Sequence, residues 1–441
     1  MTTVSVVGLG YVGLPTAAML AHAGLRVSGF DTSAQVRESA RRGCGHVKEL
    51  DVRKLVVDAL ASGGLTIADQ LEPADVIIIC VPTPVTADGR ADLRSVLAAT
   101  EASARMLRPG DLFVLESTVP PGTIERVVVP TLQRFGIDTE QVDIAHCPER
   151  VIPGNIVEEI TRNARVIGGR TPAAALRAKD VYSSFVTAPI EITDCTTAEL
   201  VKVLENTYRD VNIALANEMA ILAESIGIDV WEVIRLANKH PRVNILSPGP
   251  GVGGHCIPVD SQFLAGSNPF ETELTQTARR VNQRMPAYIS RRIERLVSPG
   301  SKIALLGAAY KANVDDTRNS PSETIVAFLL ERGYEVSVFD PLAATFRFPL
   351  AGSLDEAVAD ASAIVLAVDH EAFRAIEPER VAELMRPEPA LLDTRRFFDV
   401  ARWRAAGFRV HAFGTPAQGT PPVPATPRNG ASHQPEERVL S

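Results

Sequence analysis

The 441-residue sequence has few cysteines, few aromatic residues and no long apolar run. The five cysteines, at positions 44, 80, 147, 195 and 256, are widely spaced and odd in number, with no Cys-x-x-Cys pair. This spacing argues against a disulfide framework and against a zinc or other metal site, and it fits the reducing cytoplasm. The apolar run at 76–81 has strand length, whereas a membrane span needs about 20 apolar residues, so we expect no membrane anchoring.

An excess of positive charge is lacking as well. The net charge of −8 and the pI of about 5.6 disfavour a nucleic-acid-binding surface. No basic segment precedes the first apolar stretch, so no secretory leader is expected. The length, with 45% apolar and 22% charged residues, is ordinary for a soluble globular protein of two or three domains.

The first part of the chain alternates predicted strands with helices. The predicted strands are short apolar runs at 4–8, 26–30, 76–81, 112–116 and 143–146. Such alternation indicates a parallel sheet, whose ligands bind at the carboxyl ends of the strands. Glycine and polar residues follow these strands at 8–13, 31, 82–84, 117–118 and 147–150. We therefore expect one crevice to collect them.

The middle of the chain is predicted to be helical. Helices are expected at 196–226, 229–239 and 271–297, the first opened by a capping-box pattern, Thr196-x-x-Glu199, and closed by Gly227. Such a helical spine often carries subunit contacts. A second α/β unit begins at Lys302, with strands at 302–307, 335–339, 363–368 and 390–393. It has only Gly307 where the first unit has three glycines, so we expect a different ligand there.

The pattern Gly8-x-Gly10-x-x-Gly13 lies between a strand and a helix. Gly8 permits the tight turn, Gly10 lets a pyrophosphate approach, and Gly13 lets the helix pack closely on the sheet. Asp31 follows about 20 residues later, where a carboxylate binds a ribose 2′-hydroxyl and would repel a 2′-phosphate. The arrangement predicts NAD rather than NADP. The alternative is a glycine turn in an α/β domain that binds no nucleotide.

These patterns predict an α/β fold of two Rossmann-like, doubly wound parallel-sheet domains joined by a central helical domain. The expected boundaries are 1–190 for the NAD-binding domain, 191–297 for the helical domain with the cysteine loop, and 298–413 for the second domain. The segment 414–441 is rich in proline, threonine and charge without periodicity, and it is expected to be a disordered tail.

Cys256 follows a loop rich in glycine and proline, NILSPGPGVGGHCIPVD at 244–260. Glycines let backbone come close to a bound ligand, and prolines hold the loop in one shape. A thiolate there becomes a nucleophile where nearby positive charge lowers its pKa. The alternative is a buried structural thiol, which is the commoner state of a free cysteine.

Other polar residues are candidates for the same site. Lys202, Asn206 and Arg209 are spaced by four and three, so they share a helix face, which could also be an ordinary solvated face. Thr118 and Glu149 follow predicted strands; the alternatives are a turn threonine and a glutamate paired with Arg150. A basic pair, His240 and Arg242, suits a diphosphate or is surface charge.

Together, five segments of the sequence resemble the UDP-glucose/GDP-mannose dehydrogenase family. They are GLGYVGLP at 8–15, ESTVPPGT at 116–123, the helix with Lys202 and Asn206, GGHCIPVD at 253–260, and AYK at 309–311 followed by DDTRNSPS at 315–322. The resemblance runs in order from residue 4 to about 413. It implies an NAD-dependent, four-electron oxidation of a sugar 6-hydroxyl to a carboxylate.

The resemblance also implies roles for the candidate residues. Cys256 would add to the aldehyde formed first, giving a thiohemiacetal that is oxidised to a thioester. Lys202 and Asn206 would stabilise oxyanions, and Asp260 would move a proton in the first oxidation. Glu149 and Thr118 would help the water that hydrolyses the thioester.

The binding residues implied by the resemblance form two groups. NAD would be bound by Gly8, Gly10, Tyr11, Val12, Gly13, Asp31, Thr83, Thr118 and Arg318. The UDP-sugar would be bound by Arg150, Val151, Lys202, Asn206, Arg209, His240, Arg242, Gly253, Tyr310, Lys311 and Arg395. Arg242 would reach in from a neighbouring subunit, so a homodimer or higher homo-oligomer is expected, with the second α/β unit as the UDP-binding domain.

Two positions bear on the sugar. Family members that oxidise UDP-glucose usually have serine before the cysteine and a second glutamate four residues after the first; this chain has His255 and Pro153. The segments 146–155 and 236–260 are most similar to members that oxidise UDP-N-acetyl-D-mannosamine. UDP-N-acetylglucosamine and UDP-glucose remain alternatives. A two-electron hydroxyacid dehydrogenase, which would not need Cys256, and an NAD-binding protein without turnover are more distant ones.

Overall fold

The computed structural model describes residues 2–43, 49–151 and 155–416. It contains two β-sheets with a set of long helices between them in sequence. The prediction of two α/β units joined by a helical region is therefore confirmed. Pro153 and the part of the predicted tail from 417 onward lie outside the described residues.

The first sheet has eight strands in the order β3-β2-β1-β4-β5-β6-β7-β8. They are β1 Thr3–Val7, β2 Arg26–Phe30, β3 Leu65–Ile67, β4 Val76–Ile79, β5 Leu112–Leu115, β6 Asp143–His146, β7 Arg165–Gly169 and β8 Ile190–Asp194. The first six are parallel in the order of a dinucleotide-binding sheet, and β4 and β5 are continuously buried because helices cover both faces. β7 pairs with β6 in the antiparallel direction, so its amino end lies at the edge where β4, β5 and β6 end.

The helices of the first unit cover this sheet. They are α1 Gly13–His22, α2 Ala34–Arg41, α3 Leu50–Ala61, α4 Arg94–Ala104, α5 Val129–Arg134, α6 Ile156–Arg162 and α7 Pro172–Tyr182. A π-helical turn, Ile124–Val128, leads into α5. The apolar helix α1 is buried from Gly13 to Ala21, which holds its amino end against the end of β1.

Four helices form the middle of the chain: α8 Cys195–Ile226, α9 Val230–Ala237, α10 Ile257–Ser267 and α11 Glu273–Glu294. The predicted end of α8 at Gly227 is confirmed by its left-handed φ of 77°. The predicted capping box is wrong, because Asp194 caps α8 through the backbone N–H of Thr197. None of the helices in the described ranges combines the length and the apolar character that a bilayer crossing needs.

A buried polar network fixes the cysteine loop to these helices. Asn217 of α8 accepts the backbone N–H of Gly249 at 2.8 Å and donates to Asn282 of α11 at 2.9 Å. Asn282 donates in turn to Asp210 at 2.8 Å, and Arg279 forms an ion pair with Asp210 at 3.2 Å. Because breaking buried polar contacts is costly, this network restrains the position of the loop.

The second sheet has five parallel strands in the order β10-β9-β11-β12-β13. They are β9 Lys302–Leu306, β10 Glu335–Phe339, β11 Ala363–Leu366, β12 Ala390–Asp393 and β13 Arg409–Ala412. The helices around it are α12 Pro321–Glu331, α13 Leu354–Val358, α14 Pro378–Leu384 and α15 Val400–Ala405, with a 3-10 turn at Glu371–Ala375. The strand order reverses beside β9, and ligands of open α/β sheets bind at such a point.

Candidate active site

The glycine turn after β1 is shaped by what surrounds each glycine. Gly8 has a φ of +95°, and a Cβ there would meet the carbonyl oxygen of Cys80 at 2.4 Å. A Cβ on Gly13 would lie 1.9 Å from the carbonyl oxygen of Gly8. A Cβ on Gly10, in contrast, would meet nothing within 4 Å. The turn is therefore packed at its first and third glycines and open at its second, where a pyrophosphate would approach.

Asp31 completes this turn. It lies just after β2, half-buried, and its carboxylate accepts the N–H of Leu9 at 2.9 Å and of Ser33 at 2.8 Å. Thr83, after β4, donates to the backbone carbonyl of Thr118, after β5, at 2.7 Å. Val12 immediately precedes α1, whose amino end provides free N–H groups for phosphate. These residues fit NAD, and the predicted contact of Asp31 with a ribose would use the part of its carboxylate that remains exposed.

Cys256 occupies the position before the first turn of α10. Its carbonyl oxygen accepts the N–H of Asp260 at 2.8 Å and of Val259 at 3.1 Å, and its side chain is exposed. The positive end of a helix favours a thiolate at this position. Protein atoms around the sulfur still remove enough water to raise the pKa of Cys256, and Asp260 adds to the rise, whereas Lys202 and Arg209 lower it.

Asp260 lies one turn into α10, facing α8. Its carboxylate accepts a hydrogen bond of 2.6 Å from Asn206 and lies 4.0 Å from the ammonium group of Lys202. Burial raises the pKa of Asp260 to about 6, although Lys202 and Asn206 oppose this. A carboxylate with this pKa can take a proton near neutral pH. The structure thus brings together four predicted residues: Cys256, Asp260, Lys202 and Asn206.

The glycines before Cys256 do not face open space. A Cβ on Gly253 would meet the carbonyl oxygen of Asn319 at 2.6 Å, and one on Gly254 would meet the ring of Tyr310 at 2.8 Å. A Cβ on Gly249 would lie 2.4 Å from the guanidinium of Arg395. At these three positions the small residue lets the loop pack directly against the second α/β unit, and the approach of a ligand to the loop stays a prediction.

The segment 310–320 of that second unit reaches the cysteine. Asp316 forms an ion pair with Arg318 at 2.6 Å and lies 3.6 Å from His255, whose ring meets Tyr310 edge-on. Arg318 is close enough to Cys256 to lower the pKa of its thiol. Burial, with Arg318, lowers the pKa of His255, so this ring is neutral at pH 7. The same segment also reaches the glycine turn. Burial raises the pKa of Tyr11 to about 12, and Tyr310 and Asp316, like Glu49, add to this rise.

Glu149 is not paired as the sequence suggested. Its carboxylate accepts the backbone N–H of Arg150, but its ion pair is with Arg165, the first residue of β7, at 3.1 Å. The side chain of Arg150 instead pairs with Glu205 of α8. The alternative of a Glu149–Arg150 ion pair is wrong because the Arg150 side chain turns toward α8.

The remaining predicted binding residues lie around this centre. Val151 packs on the core of the first unit, and Arg209 and Lys311 are exposed. Arg395 donates to the carbonyl oxygen of Pro248 at 3.3 Å and pairs with Asp369. His240 and Arg242 are exposed after α9 and contact each other, and within the described ranges no hydrogen bond or ion pair joins them to the Cys256 group.

Three residues near the site were not predicted. Arg165 and Glu116 form a buried ion pair at 3.4 Å, and nothing in the sequence signals that an arginine in an unpredicted antiparallel strand would arrive here. Glu199 accepts the N–H groups of Gly122 and Ile124 in the loop after Thr118. Burial raises the pKa of Glu199 to about 7. The capping-box pattern drew attention to Glu199 but assigned it the wrong partner.

Comparisons with known proteins agree with this geometry. Models of the UDP-glucose/GDP-mannose dehydrogenase family match the chain at residues 2–186 (NAD binding domain), 196–284 (central domain) and 304–400 (UDP binding domain). The chain is 44% identical to UDP-N-acetyl-D-mannosamine dehydrogenase of Methanocaldococcus jannaschii over 417 residues, covering 93% of this chain and 96% of that protein.

Two solved structures are similar along nearly the whole chain. The UDP-D-ManNAc dehydrogenase of Pyrococcus horikoshii superposes with a TM-score of 0.88 at 39% identity, covering 93% of this chain and 99% of that one. The UDP-N-acetyl-mannosamine dehydrogenase of Staphylococcus aureus gives a TM-score of 0.84 at 36% identity, covering 94% and 98%.

Proposed function

The chain belongs to the UDP-glucose/GDP-mannose dehydrogenase family, and from this premise we propose that it oxidises the 6-hydroxyl of UDP-N-acetyl-D-mannosamine to a carboxylate, using two molecules of NAD in turn. The observation that carries the proposal is the placement of Cys256 at the start of α10, one turn from Asp260 and facing Lys202 and Asn206 of α8. NAD supplies the chemistry of accepting a hydride from the sugar carbon at each oxidation.

In the first oxidation Asp260 takes the proton of the sugar hydroxyl. Its pKa of about 6 suits a base that works near neutral pH, and the Asn206 amide fixes one of its oxygens. Lys202, whose side chain is mostly buried, stabilises negative charge on the sugar oxygen as the carbonyl forms.

In the second oxidation Cys256 makes the aldehyde oxidisable. An aldehyde carbon becomes a hydride donor once a nucleophile has added to it, and the Cys256 thiolate adds to give a thiohemiacetal. Loss of the second hydride leaves a thioester on Cys256. The positive end of α10, with Lys202 and Arg209, supports the thiolate, and Lys202 and Asn206 support the oxyanion of the adduct.

Water then hydrolyses the thioester. Glu149, with its side chain 9% exposed, acts as the base toward this water, and Thr118 helps to hold the water in place. The buried Glu199 holds the loop after Thr118 through two backbone N–H groups. The product carboxylate leaves while Cys256 returns to the thiolate.

We assign the three parts of the chain separate tasks. Residues 1–190 bind NAD, residues 191–297 carry the cysteine loop and the subunit contact, and residues 298–413 bind UDP. The exposed side chains of Arg209 and Lys311 suit a diphosphate, with Arg395 behind the loop that carries Gly253. The UDP-sugar contacts of Arg150, Val151 and Tyr310 belong to the same assignment.

A homodimer is part of the proposal. Large apolar side chains are exposed along α8 at spacings of four or seven, so they form one stripe: Leu200, Leu204, Tyr208, Leu215, Leu222 and Ile226. An apolar stripe of this length marks a protein contact, and a second copy of α8 matches it by two-fold symmetry. The contact would let Arg242 of one subunit serve the site of the other. The four described cysteines are free thiols, which suits the cytoplasm, where we place the enzyme.

The preference for an N-acetylated sugar rests on His255 and on the full-length similarity to relatives named for that sugar. His255 is turned toward Asp316 and Tyr310, so it shapes the loop beside Cys256 rather than acting as a base. UDP-N-acetylglucosamine and UDP-glucose are the competing substrates.

The test is turnover with a panel of UDP-sugars, counting NADH per sugar. We expect two NADH per UDP-N-acetyl-D-mannosamine and little turnover of UDP-glucose. A preference for UDP-glucose would overturn the choice of sugar, and one NADH per sugar would indicate the two-electron reaction instead. Cys256→Ser should stall after the aldehyde, whereas Cys195→Ser, at a buried thiol away from the site, should keep the full yield of acid.

A further inference from the structure

Two buried carboxyl groups share one guanidinium at the edge of the first sheet. Arg165 lies 3.4 Å from Glu116, which follows β5, and 3.1 Å from Glu149, which follows β6. The guanidinium also lies over the rings of Tyr182 and Phe185, 5.1 and 5.7 Å from their centroids. Stacking and two carboxyl partners fix its plane, so both acids are held in a single arrangement.

The charges of this group do not balance if both acids are ionised. The side chains of Glu116, Arg165 and Glu149 are 0%, 3% and 9% exposed, so solvent compensates little charge. One cation cannot neutralise two buried carboxylates, and two carboxylates beside the same guanidinium repel each other, so a proton on one of them is favoured. The group is neutral when it holds one proton.

Glu116 is the better place for this proton. Burial, with the nearby Glu149, raises the pKa of Glu116 to about 7, although Arg165 opposes the rise. Glu116 has no exposed side-chain surface and accepts a hydrogen bond from the thiol of Cys80, so it touches neither water nor substrate. Of the two carboxyl groups, Glu149 is the one that keeps some exposure.

We propose that Glu116 and Arg165 are positioning residues for the hydrolysis of the thioester, with Glu116 retaining the single proton of the carboxyl pair so that Glu149 remains an ionised base. This inference rests on the proposed function, since it assigns a further part of the same reaction. It also supplies a second carboxyl group, after β5, in a chain that has Pro153 where family members that oxidise UDP-glucose usually carry a second glutamate.

The proton balance of the step is as follows. Glu149 takes one proton from water, and the remaining hydroxide adds to the thioester carbonyl. The carbon–sulfur bond then breaks, the electron pair leaves with the sulfur of Cys256, and the sugar acid is released. During this step Glu116 keeps its proton and donates it as a hydrogen bond to Glu149, while Arg165 holds the second oxygen of Glu149.

The experiment uses the full-length enzyme with NAD and UDP-N-acetyl-D-mannosamine. Rapid mixing measures the NADH burst, which reports the two oxidations, and mass spectrometry of quenched protein measures the acyl group on Cys256. We expect Glu116→Gln, which imitates the protonated acid and still donates a hydrogen bond, to keep burst and hydrolysis rates within about twofold of the wild type at pH 7. Glu116→Leu, which cannot donate, should leave the burst rate within about twofold and slow hydrolysis by about 10-fold or more, so that acyl-enzyme accumulates. Arg165→Lys keeps the positive charge but lacks the two parallel N–H donors of the guanidinium group, so hydrolysis should slow by a smaller factor.

The pH dependence separates this role from a structural one. In the wild type hydrolysis should slow as the pH rises through about 7, where Glu116 loses its proton, and in Glu116→Gln this change should be absent. The matched control is Asp111→Asn, at the opposite end of the same strand, where the carboxylate binds Arg108 at 3.3 Å. It should leave burst, hydrolysis and pH profile unchanged.

Two results would overturn the inference. One is equal slowing of burst and hydrolysis in Glu116→Leu, which is what a merely structural role would give. The other is hydrolysis in Glu116→Gln that keeps the pH profile of the wild type. If the wild type itself yields one NADH per sugar or forms no acyl-enzyme, it is the proposed function that fails, and that outcome is visible before any variant is measured.

Discussion

The two α/β units begin with the same local geometry and put it to different uses. After β1, Gly8 has a φ of +95° and donates to the carbonyl oxygen of Phe30 at 2.8 Å. After β9, Gly307 has a φ of +102° and donates to the carbonyl oxygen of Phe339 at 2.8 Å. A sharp turn from a strand toward a helix requires such a residue in both places.

The acid that follows the second strand separates the units. Asp31 accepts two backbone N–H groups and remains half-buried, which leaves it accessible to a ribose. Asp340 accepts the N–H groups of Ala308, Ala309, Leu342 and Ala343 and also pairs with His370 at 3.0 Å, with no exposed side-chain surface. The carboxylate of Asp31 is therefore available to a ligand, whereas the carboxylate of Asp340 makes its hydrogen bonds within the protein.

The connection to the next helix differs as well. α1 begins five residues after Gly8, whereas α12 begins at Pro321, fourteen residues after Gly307. The additional segment extends to Cys256 and His255 instead of closing over its own turn. Because Asp340 is fully bonded within the protein and the loop before α12 is long, the second unit contributes to the site around Cys256 instead of forming a dinucleotide turn like that of the first unit.

The largest expected effect compares the two acids. Asp340→Asn should lower the free energy of unfolding by about 3–5 kcal/mol, because it leaves buried N–H groups and His370 without a carboxylate, and NAD affinity should be unchanged. Asp31→Asn should leave stability within about 1 kcal/mol and raise the KM for NAD by about 10-fold or more, from the loss of a charged hydrogen bond. Chemical denaturation and NAD titration measure both.

The loss of unfolding free energy caused by Asp340→Asn should depend on pH. Burial opposes ionisation, but His370 and the backbone N–H groups hold the pKa of Asp340 below its ordinary value. A carboxyl whose pKa is lowered by folding contributes its stability above the unfolded pKa of about 3.9 and loses it as the pH falls further. The difference between variant and wild type should therefore be full at pH 7 and shrink below about pH 4. A difference that stays constant to pH 3 would contradict this account of Asp340.

The second prediction compares Gly13, which is tightly packed, with Gly10, which faces open space, in the glycine turn after β1. In Gly13→Ala the new methyl group would meet the Gly8 carbonyl oxygen, and backbone cannot give way as a side chain does. We expect a loss of about 2–3 kcal/mol in the free energy of unfolding, together with loss of NAD binding. In the control, Gly10→Ala, the methyl group enters empty space, so NAD affinity alone should fall. Equal stability of the two variants would show that the turn is less tightly packed than the distances indicate.

The sequence predicted those parts of the molecule that local pattern controls. Continuous apolar runs predicted β1, β4 and β9 because strands covered on both faces are apolar throughout. β3, with three residues, and β8, with a partly exposed pattern, lack such a run and were missed. The turn with Asp31 was predicted because the glycine spacing, with an acid about 20 residues further on, is a recurrent motif.

Residues brought to the site by tertiary structure were harder to predict. Arg165 reaches Glu149 because β7 runs antiparallel to β6, and no local pattern encodes the direction of a strand. Glu199 fits a capping box, yet Asp194 lies in a better position to cap α8, which frees Glu199 to bind the loop after Thr118. In neither case does a recurrent sequence motif link the two partners.

The third prediction tests how the second unit closes its own turn. Ser322, in the first turn of α12, donates to the carbonyl oxygen of Gly307 at 2.8 Å, in the place where Gly13 approaches Gly8 in the first unit. Ser322→Ala should lower the free energy of unfolding by about 1 kcal/mol, because the buried carbonyl group of Gly307 loses its hydrogen-bond donor. The control is Ser103→Ala in α4, a buried serine that donates to the carbonyl of Ala99, which already belongs to a helix ladder. A smaller loss in Ser322→Ala than in Ser103→Ala would contradict the comparison.

The smallest expected effect tests whether the extended loop of the second unit acts on the Cys256 thiol of the central helical region. Arg318 lowers the pKa of Cys256, but its side chain is 62% exposed, so solvent weakens the effect. Arg318→Ala should therefore raise the pH midpoint of Cys256 alkylation by iodoacetamide by only a few tenths of a unit. Arg94 provides a matched control, because it pairs with Asp92 two residues earlier just as Arg318 pairs with Asp316. Since both variants break the same kind of ion pair, a shift in Arg318→Ala alone isolates proximity to the thiol, and equal shifts in the two variants would show that the second unit leaves the thiol unaffected.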